Sequence, residues 1–526
     1  MRLTMEDFSV TEWNKILHRT GRLLIICLSI YIINVHTVYS DPNPTPQLTI
    51  IYCNEEQPTE KSAVIQIIQA QLATKGISVK LEPLPTSIFY DRVAKQDYQA
   101  GFSLWYIDYN DPEGFLTDFY SKASFRMSKY QDDNFDSLYL SGLMADNEKE
   151  KIKFFRKAVE YLNKQLTWIP LYSNSEIFLF KKEAEGFQSN SFQYYDYKVV
   201  NLRNICVSTD IEPQTQNPAL TYDLASKHIV CQSYEGLISM DEENRIVPGL
   251  AYEWLFSENK DQLTFKLRNN VFFHDSPIFA DRKGREVTAE DIKFSFERML
   301  KSNSPYSYIF DYVEGIEKFR AGESNGVSGF QVIDEHTFRI VLNRPFPTML
   351  QWLLAPAAYI VPKETPLNYD FSKGSIGTGP FVLKSYDGSV VKFHAFTRYW
   401  QHDNKGKQIP YAKTLEIRVM TDVNVAWMAF LKGELDIFNV PLSLLNQIFD
   451  TNGKAKSKWS KYGYREVKLN NLKFLFFSME NSPWGKQGEL RQKINAAIDR
   501  QSIIDWIFKG KARVATSIIP SGIEGF

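Results

Sequence analysis

The run Trp105-Tyr106-Ile107-Asp108-Tyr109-Asn110-Asp111-Pro112 sets a carboxylate among three aromatic rings at an abrupt change of pattern. The preceding residues, Gln99 to Ile107, are apolar and aromatic enough for a strand buried on both faces. Asp111 before Pro112 predicts an N-cap and first helical residue, opening a helix through Phe115, Leu116 and Phe119. Asp108 then falls at the carboxyl end of a buried strand, where open α/β sheets bind their ligands. A carboxylate ringed by Trp105, Tyr106 and Tyr109 suits a cationic group, held by charge and by the ring faces. The competing reading is that Asp108 only closes a local turn. For Asp111, capping is the leading reading.

Other residue groupings offer less. His274 and Asp275 near Glu290 and Asp291 lack the second histidine a metal or hydrolytic site needs. They read as a turn and, through Thr288 and Asp291, a helix start. Gly374, Gly377 and Gly379 are not followed by the Lys-Ser/Thr pair of a phosphate loop. The seven histidines are scattered, and no Gly-x-Ser-x-Gly elbow occurs. Glu434 and Asp436 read as a solvated edge, and Trp400, Trp427 and Trp484 as core. No catalytic constellation, metal site or cofactor motif is expected, and the chain does not read as an enzyme.

The elements around these residues belong to a large globular chain. Its 526 residues are 44% hydrophobic and 23% charged, enough for two or three lobes. Phe 37, Tyr 28 and Trp 10 exceed what a core needs, and surplus Tyr and Trp often line ligand clefts. The 61 basic and 62 acidic residues nearly cancel without forming blocks, which argues against nucleic acid as a partner. Leu23 to Val35, flanked by Arg19 and Arg22 and by Ser40-Asp41-Pro42, is too short to span a bilayer comfortably. It reads as a signal-peptide core, with residues 1–40 removed after Val38-Tyr39-Ser40, or as an anchor if it is not cleaved. Of four cysteines, Cys27 lies in that segment. Cys206 and Cys231 have the option of pairing in an oxidising compartment, leaving Cys53 free.

A βαβ rhythm follows. Gln47–Tyr52 is a strand, Lys61–Thr74 a helix ended by Gly76, and Ile77–Leu81 a second strand. The Asp108 strand, a helix from Asn147 to Leu166 and a strand from Ile177 to Lys181 continue it. A largely parallel sheet is expected. The pattern restarts with a strand Asn204–Thr209 and a helix Ala219–Glu235. The stretch 263–345 is rich in short strands, with one helix Ala289–Lys301. Gly377 to Phe381 enters a hairpin, Val423–Leu431 is a helix, and Leu472–Met479 a hydrophobic strand.

Several stretches resemble the family 5 extracellular solute-binding proteins, which serve oligopeptide and dipeptide ABC importers. They include Tyr234-Glu235-Gly236-Leu237, Pro248-Gly249-Leu250-Ala251, Thr288-Ala289-Glu290-Asp291 and Gly377-Thr378-Gly379-Pro380-Phe381. Tyr399-Trp400, Gly433-Glu434-Leu435-Asp436, Phe476 to Asn481, Ala496-Ala497-Ile498-Asp499-Arg500, the Asp108 run and Ile169-Pro170-Leu171-Tyr172 add to them. The resemblance covers nearly everything after residue 45, but in circularly permuted order. Material resembling the family's late part (47–200) precedes material resembling its early part (203–526). A junction between two tandem gene copies would give the same order.

The resemblance implies an α/β fold of the periplasmic-binding-protein type II, with two hinged lobes and a smaller β-rich domain. It places the first lobe at 182–237 with 366–468, the additional domain at 238–365, and the third lobe at 46–181 with 469–526. It implies a monomeric periplasmic protein that captures peptides and passes them to an ABC-importer permease, with Asp108 holding the peptide α-amine and Trp105, Tyr106 and Tyr109 beside it. The alternatives are a metal-chelate binder on the same fold, a sensing transcription regulator, which the export signal opposes, and a non-functional fusion.

Overall fold

The computed structural model describes residues 47–526 apart from 56–57, 108, 124–125, 146, 451 and 482. The expected signal segment, Cys27 and Asp108 lie outside the described residues. Four strands open the chain: β1 (Leu48–Cys53), β2 (Val79–Leu84), β3 (Ala100–Trp105) and β4 (Trp168–Lys181). They join a 12-stranded sheet in which β4 is central. On one side of β4 come the Leu472–Phe477 strand, β3, β1 and β2. On the other come the strands Ile437–Asn439, Asn204–Thr209, Thr414–Val419, Val390–Ala395 and Phe381–Tyr386.

The sheet is mixed, which corrects the expectation of a largely parallel one. β1 runs parallel to β2 and β3, and Asn204–Thr209 runs parallel to Thr414–Val419 and Ile437–Asn439. β4 is antiparallel to every strand it touches, and Leu472–Phe477 is antiparallel to β3. The expected strand Ile177–Lys181 is only the second part of β4. The first part pairs Ile169 with Leu475, and the second pairs Phe180 with Ile437 and Gly463. One strand therefore serves both halves of the sheet.

Where β4 passes between the halves its side chains are polar. Ser173 Oγ donates to the carbonyl of Asn471 (2.5 Å), and Asn471 Nδ2 donates to Asn174 Oδ1 (2.7 Å). The backbone N–H of Leu469 donates to the carbonyl of Asn174 (3.1 Å). Immediately beyond, all six side chains of Leu472–Phe477 are buried. Full burial of each large apolar side chain contributes about 1.5–3 kcal/mol. Lys473, the one cation among them, meets Glu60 Oε1 at 3.0 Å, and Glu60 also accepts from the Tyr172 hydroxyl (2.9 Å). Gly101 faces Phe476 across this pairing, and a Cβ there would stand 2.2 Å from the ring. Any larger residue would push the two strands apart.

Helices cover both faces. Val64, Ile65, Ile68 and Leu72 of the Pro58–Ala73 helix pack with Ile503, Ile504 and Phe508 on one face. Phe119, Phe135, Phe155 and Trp168 fill the other. The 251–341 stretch forms a separate four-stranded antiparallel sheet beside the Ala289–Lys301 helix, whose Thr288–Asp291 capping box matches the sequence reading. The expected helix Ala219–Glu235 is broken, with Asp223 capping a shorter helix, Leu224–Ser233. Cys206 is in no disulfide, so the optional Cys206–Cys231 pair is not formed. Asp436 is buried rather than at a solvated edge. It accepts from Lys181 Nζ and the Cys206 N–H, each at 2.7 Å, and so ties β4 to the Asn204 strand.

Candidate functional site

β3 delivers the aromatic–acidic run to the end of the sheet. Its last residue, Trp105, is half-buried, donates from Nε1 to the carbonyl of Gly114 (2.8 Å), and lies 5.5 Å between centroids from Trp168. Tyr106 is exposed, at 49% of its surface. Asp108 lies outside the described residues. On its far side Tyr109 is buried, and its hydroxyl donates to Glu113 Oε2 (2.9 Å). Trp105 and Tyr109 thus brace the run from inside, while Tyr106 presents its ring to solvent.

Two buried carboxylates fix this run. Asp111 was expected to cap a helix beginning at Pro112. The helix begins at Glu113, and Asp111 Oδ1 accepts the Glu113 N–H (2.9 Å) in a turn. The other Asp111 oxygen is drawn inward to Lys151 in a close ion pair. Burial opposes the charge on Lys151, but Asp111 and Glu148 outweigh it and hold the ammonium above its usual range. Lys151 projects from the long helix Glu148–Gln165, which Asn147 caps and Leu166 ends, one residue shorter at each end than expected.

Glu113 is the second carboxylate. Tyr139 donates to Oε1 (2.7 Å), while Tyr109 and Trp352 Nε1 (3.2 Å) donate to Oε2. Burial, with Asp111 nearby, raises its carboxyl above the ordinary value, against the pull of these three donors. Neither Lys151 nor Trp352 is predictable as a partner from spacing, since both contacts are long-range.

The remaining groups do structural work. His274 is fully buried between Ser375 Oγ (2.9 Å) and the carbonyl of Gly379 (2.8 Å), and burial lowers it to about 4. Asp275 pairs with Arg398 (2.5 Å). Trp427 and Trp484 are core, and Trp400 Nε1 donates to Glu235. Among the described residues no cluster of His, Cys, Asp or Glu is placed to hold a metal ion, and no helix is long and apolar enough to cross a membrane.

The sequence pattern of the bacterial extracellular solute-binding proteins, family 5, matches residues 34–126 and 245–526. The chain belongs to this family. Its α/β architecture, two sheet halves joined through β4 with a smaller sheet attached, is the periplasmic-binding-protein fold expected from the sequence. Among family 5 relatives, the dipeptide-binding protein of Escherichia coli K12 is 28% identical over 347 residues, 62% of this chain and 60% of that protein. Di/tripeptide-binding protein 1 of Pseudomonas aeruginosa is 27% identical, over 52% of this chain and 50% of that protein. The chain therefore spans 60% or less of the length of these two curated relatives. The murein tripeptide binding protein MppA of Escherichia coli aligns over 48% of each chain, at 23% identity and a TM-score of 0.42.

Proposed function

We propose that this chain is an exported, non-enzymatic binding protein that captures peptides in a cleft between two lobes and delivers them to a membrane ABC importer. The observation that carries the reading is the aromatic–acidic run at the carboxyl end of β3, braced by Glu113 and Lys151, in a chain of family 5. Asp108 takes the peptide α-amine, and Trp105, Tyr106 and Tyr109 shape its surroundings. Backbone groups and water hold the rest, giving broad sequence tolerance. The names of the dipeptide- and di/tripeptide-binding relatives support a short peptide as ligand.

The working unit is a monomer with its segments in permuted order. The lobes comprise 46–181 with 469–526 and 182–237 with 366–468, and the additional domain is 238–365. Supporting this, the Leu472–Phe477 strand lies between β3 and β4, although hundreds of residues separate it from them in sequence. The leader 1–40 is removed on export. Mass spectrometry of small molecules that co-purify with the protein tests the reading. Peptides should be recovered, and recovery of a metal chelate alone would refute it.

A further inference from the structure

Glu176 lies on β4 just beyond the polar crossing, opposite Val467, and is 8% exposed. Three neutral donors converge on one of its oxygens. The Tyr195 hydroxyl (2.6 Å), Gln193 Nε2 (2.9 Å) and Asn439 Nδ2 (3.0 Å) all donate to Oε1. Oε2 is buried without a hydrogen-bond partner among the described residues, and no Lys or Arg there pairs with the carboxylate. Burial raises its carboxyl above the ordinary value, with Asp210 adding to the effect and the three donors opposing it. Buried polar atoms are rarely left unmatched, and a native exception calls for an explanation.

The position fits such an arrival. Asn439 is exposed at the end of the Ile437–Asn439 strand, and Asp210 is exposed just past the parallel Asn204–Thr209 strand. Gln193 and Tyr195 are half-buried beside them. Glu176 thus sits under an accessible polar rim at the carboxyl ends of two parallel strands, the edge at which α/β sheets take ligands. Trp105, the last residue of β3, lies at the carboxyl edge of the other half.

We propose that Glu176 is a second ligand carboxylate, whose Oε2 accepts a hydrogen bond from a cationic side chain, lysine or arginine, of the bound peptide. Oε1 is already held by three donors, so the carboxylate is oriented before the ligand arrives. This rests on the peptide-binding reading above. Tyr195, Gln193 and Asn439 are positioning residues.

Calorimetry on the purified full chain tests it, with tri- and pentapeptides of alanine carrying one lysine scanned through every position, and methionine counterparts. The native protein should prefer lysine over methionine at one position by at least about tenfold, as expected for a charge-assisted pair. Glu176→Gln should bring that ratio close to one and leave the methionine peptides within about threefold of native affinity. Binding of the peptides by the native protein with no lysine preference anywhere would overturn the assignment without any variant having to fold. So would an equal loss for lysine and methionine peptides in Glu176→Gln, which would mean that a main-chain N–H is the donor. Failure of the native protein to bind any of the peptides would instead overturn the peptide reading itself.

Discussion

The indole Nε1 of Trp352 donates to Glu113 Oε2 across 3.2 Å, joining residues 239 positions apart. Glu113 belongs to the short helix that follows the Asp108 run, and Trp352 to the helix Met349–Trp352. With Tyr109 and Tyr139 on the same carboxyl group, this contact fixes the run from outside its own segment. Trp352→Phe removes one donor from a buried carboxyl group and should destabilise the protein by about 1–3 kcal/mol. Glu113→Gln and Trp352→Phe should be non-additive by about 0.5–3 kcal/mol. Denaturant unfolding of the two single variants and the double variant measures both.

Asp111 and Lys151 form a buried ion pair. Asp111→Asn should cost about 3–5 kcal/mol of stability, because it leaves the Lys151 ammonium buried without its main partner. Glu148 Oε2, 3.6 Å away and exposed, compensates little. Adding Lys151→Met to Asp111→Asn should recover part of the loss. Thermal melts of the three variants decide it, and strict additivity would show that the pair is not coupled.

In the sequence Asp111 reads only as a helix cap, a role that gives no hint of a buried partner. Spacing exposes the turn but not the lysine 40 positions away. The same limit explains the other differences. Asn204–Thr209, Ala289–Lys301 and Val423–Leu431 coincide with the sequence reading because caps and periodicity are local signals. The first part of β4 was not read as strand, since Pro170 and Ser173-Asn174-Ser175 interrupt its apolar run. The Ser173 and Asn174 side chains find their partner in Asn471, 297 or more positions away. Of the candidate site, the aromatic–acidic run was legible. Glu113, Trp352 and Glu176 were not, because each acquires its role from partners brought together by folding.

Asp118 makes stability depend on pH. It is fully buried, and burial raises its carboxyl from 3.8 to about 7, against the Met127 N–H and Arg126. The folded state therefore holds this proton more tightly than the unfolded state. Its stabilising contribution is full below pH 3.8 and is lost as pH rises through about 7. The full swing is at most about 4 kcal/mol. Asp118→Asn should flatten the stability–pH curve across this window. An unchanged slope in urea titrations between these limits would refute the assignment.

Because Leu472–Phe477 is hydrogen-bonded to both β3 and β4, the two sequence halves share one sheet. Residues 47–181 and 469–526 should lose hydrogen-exchange protection together. Separate transitions for the two segments would favour a fusion of independent pieces.

We propose that the Asp108 carboxylate reads a peptide's free amine. Calorimetry with one short peptide, free and N-acetylated, on the native protein and on Asp108→Asn is the direct measurement. Truncating one partner of a buried charge pair costs about 2–5 kcal/mol, so acetylation should weaken native binding by roughly 30-fold or more. Asp108→Asn should weaken the free peptide comparably and leave little further to lose on acetylation. Equal native affinity for the free and acetylated peptides would show that no carboxylate reads the amine.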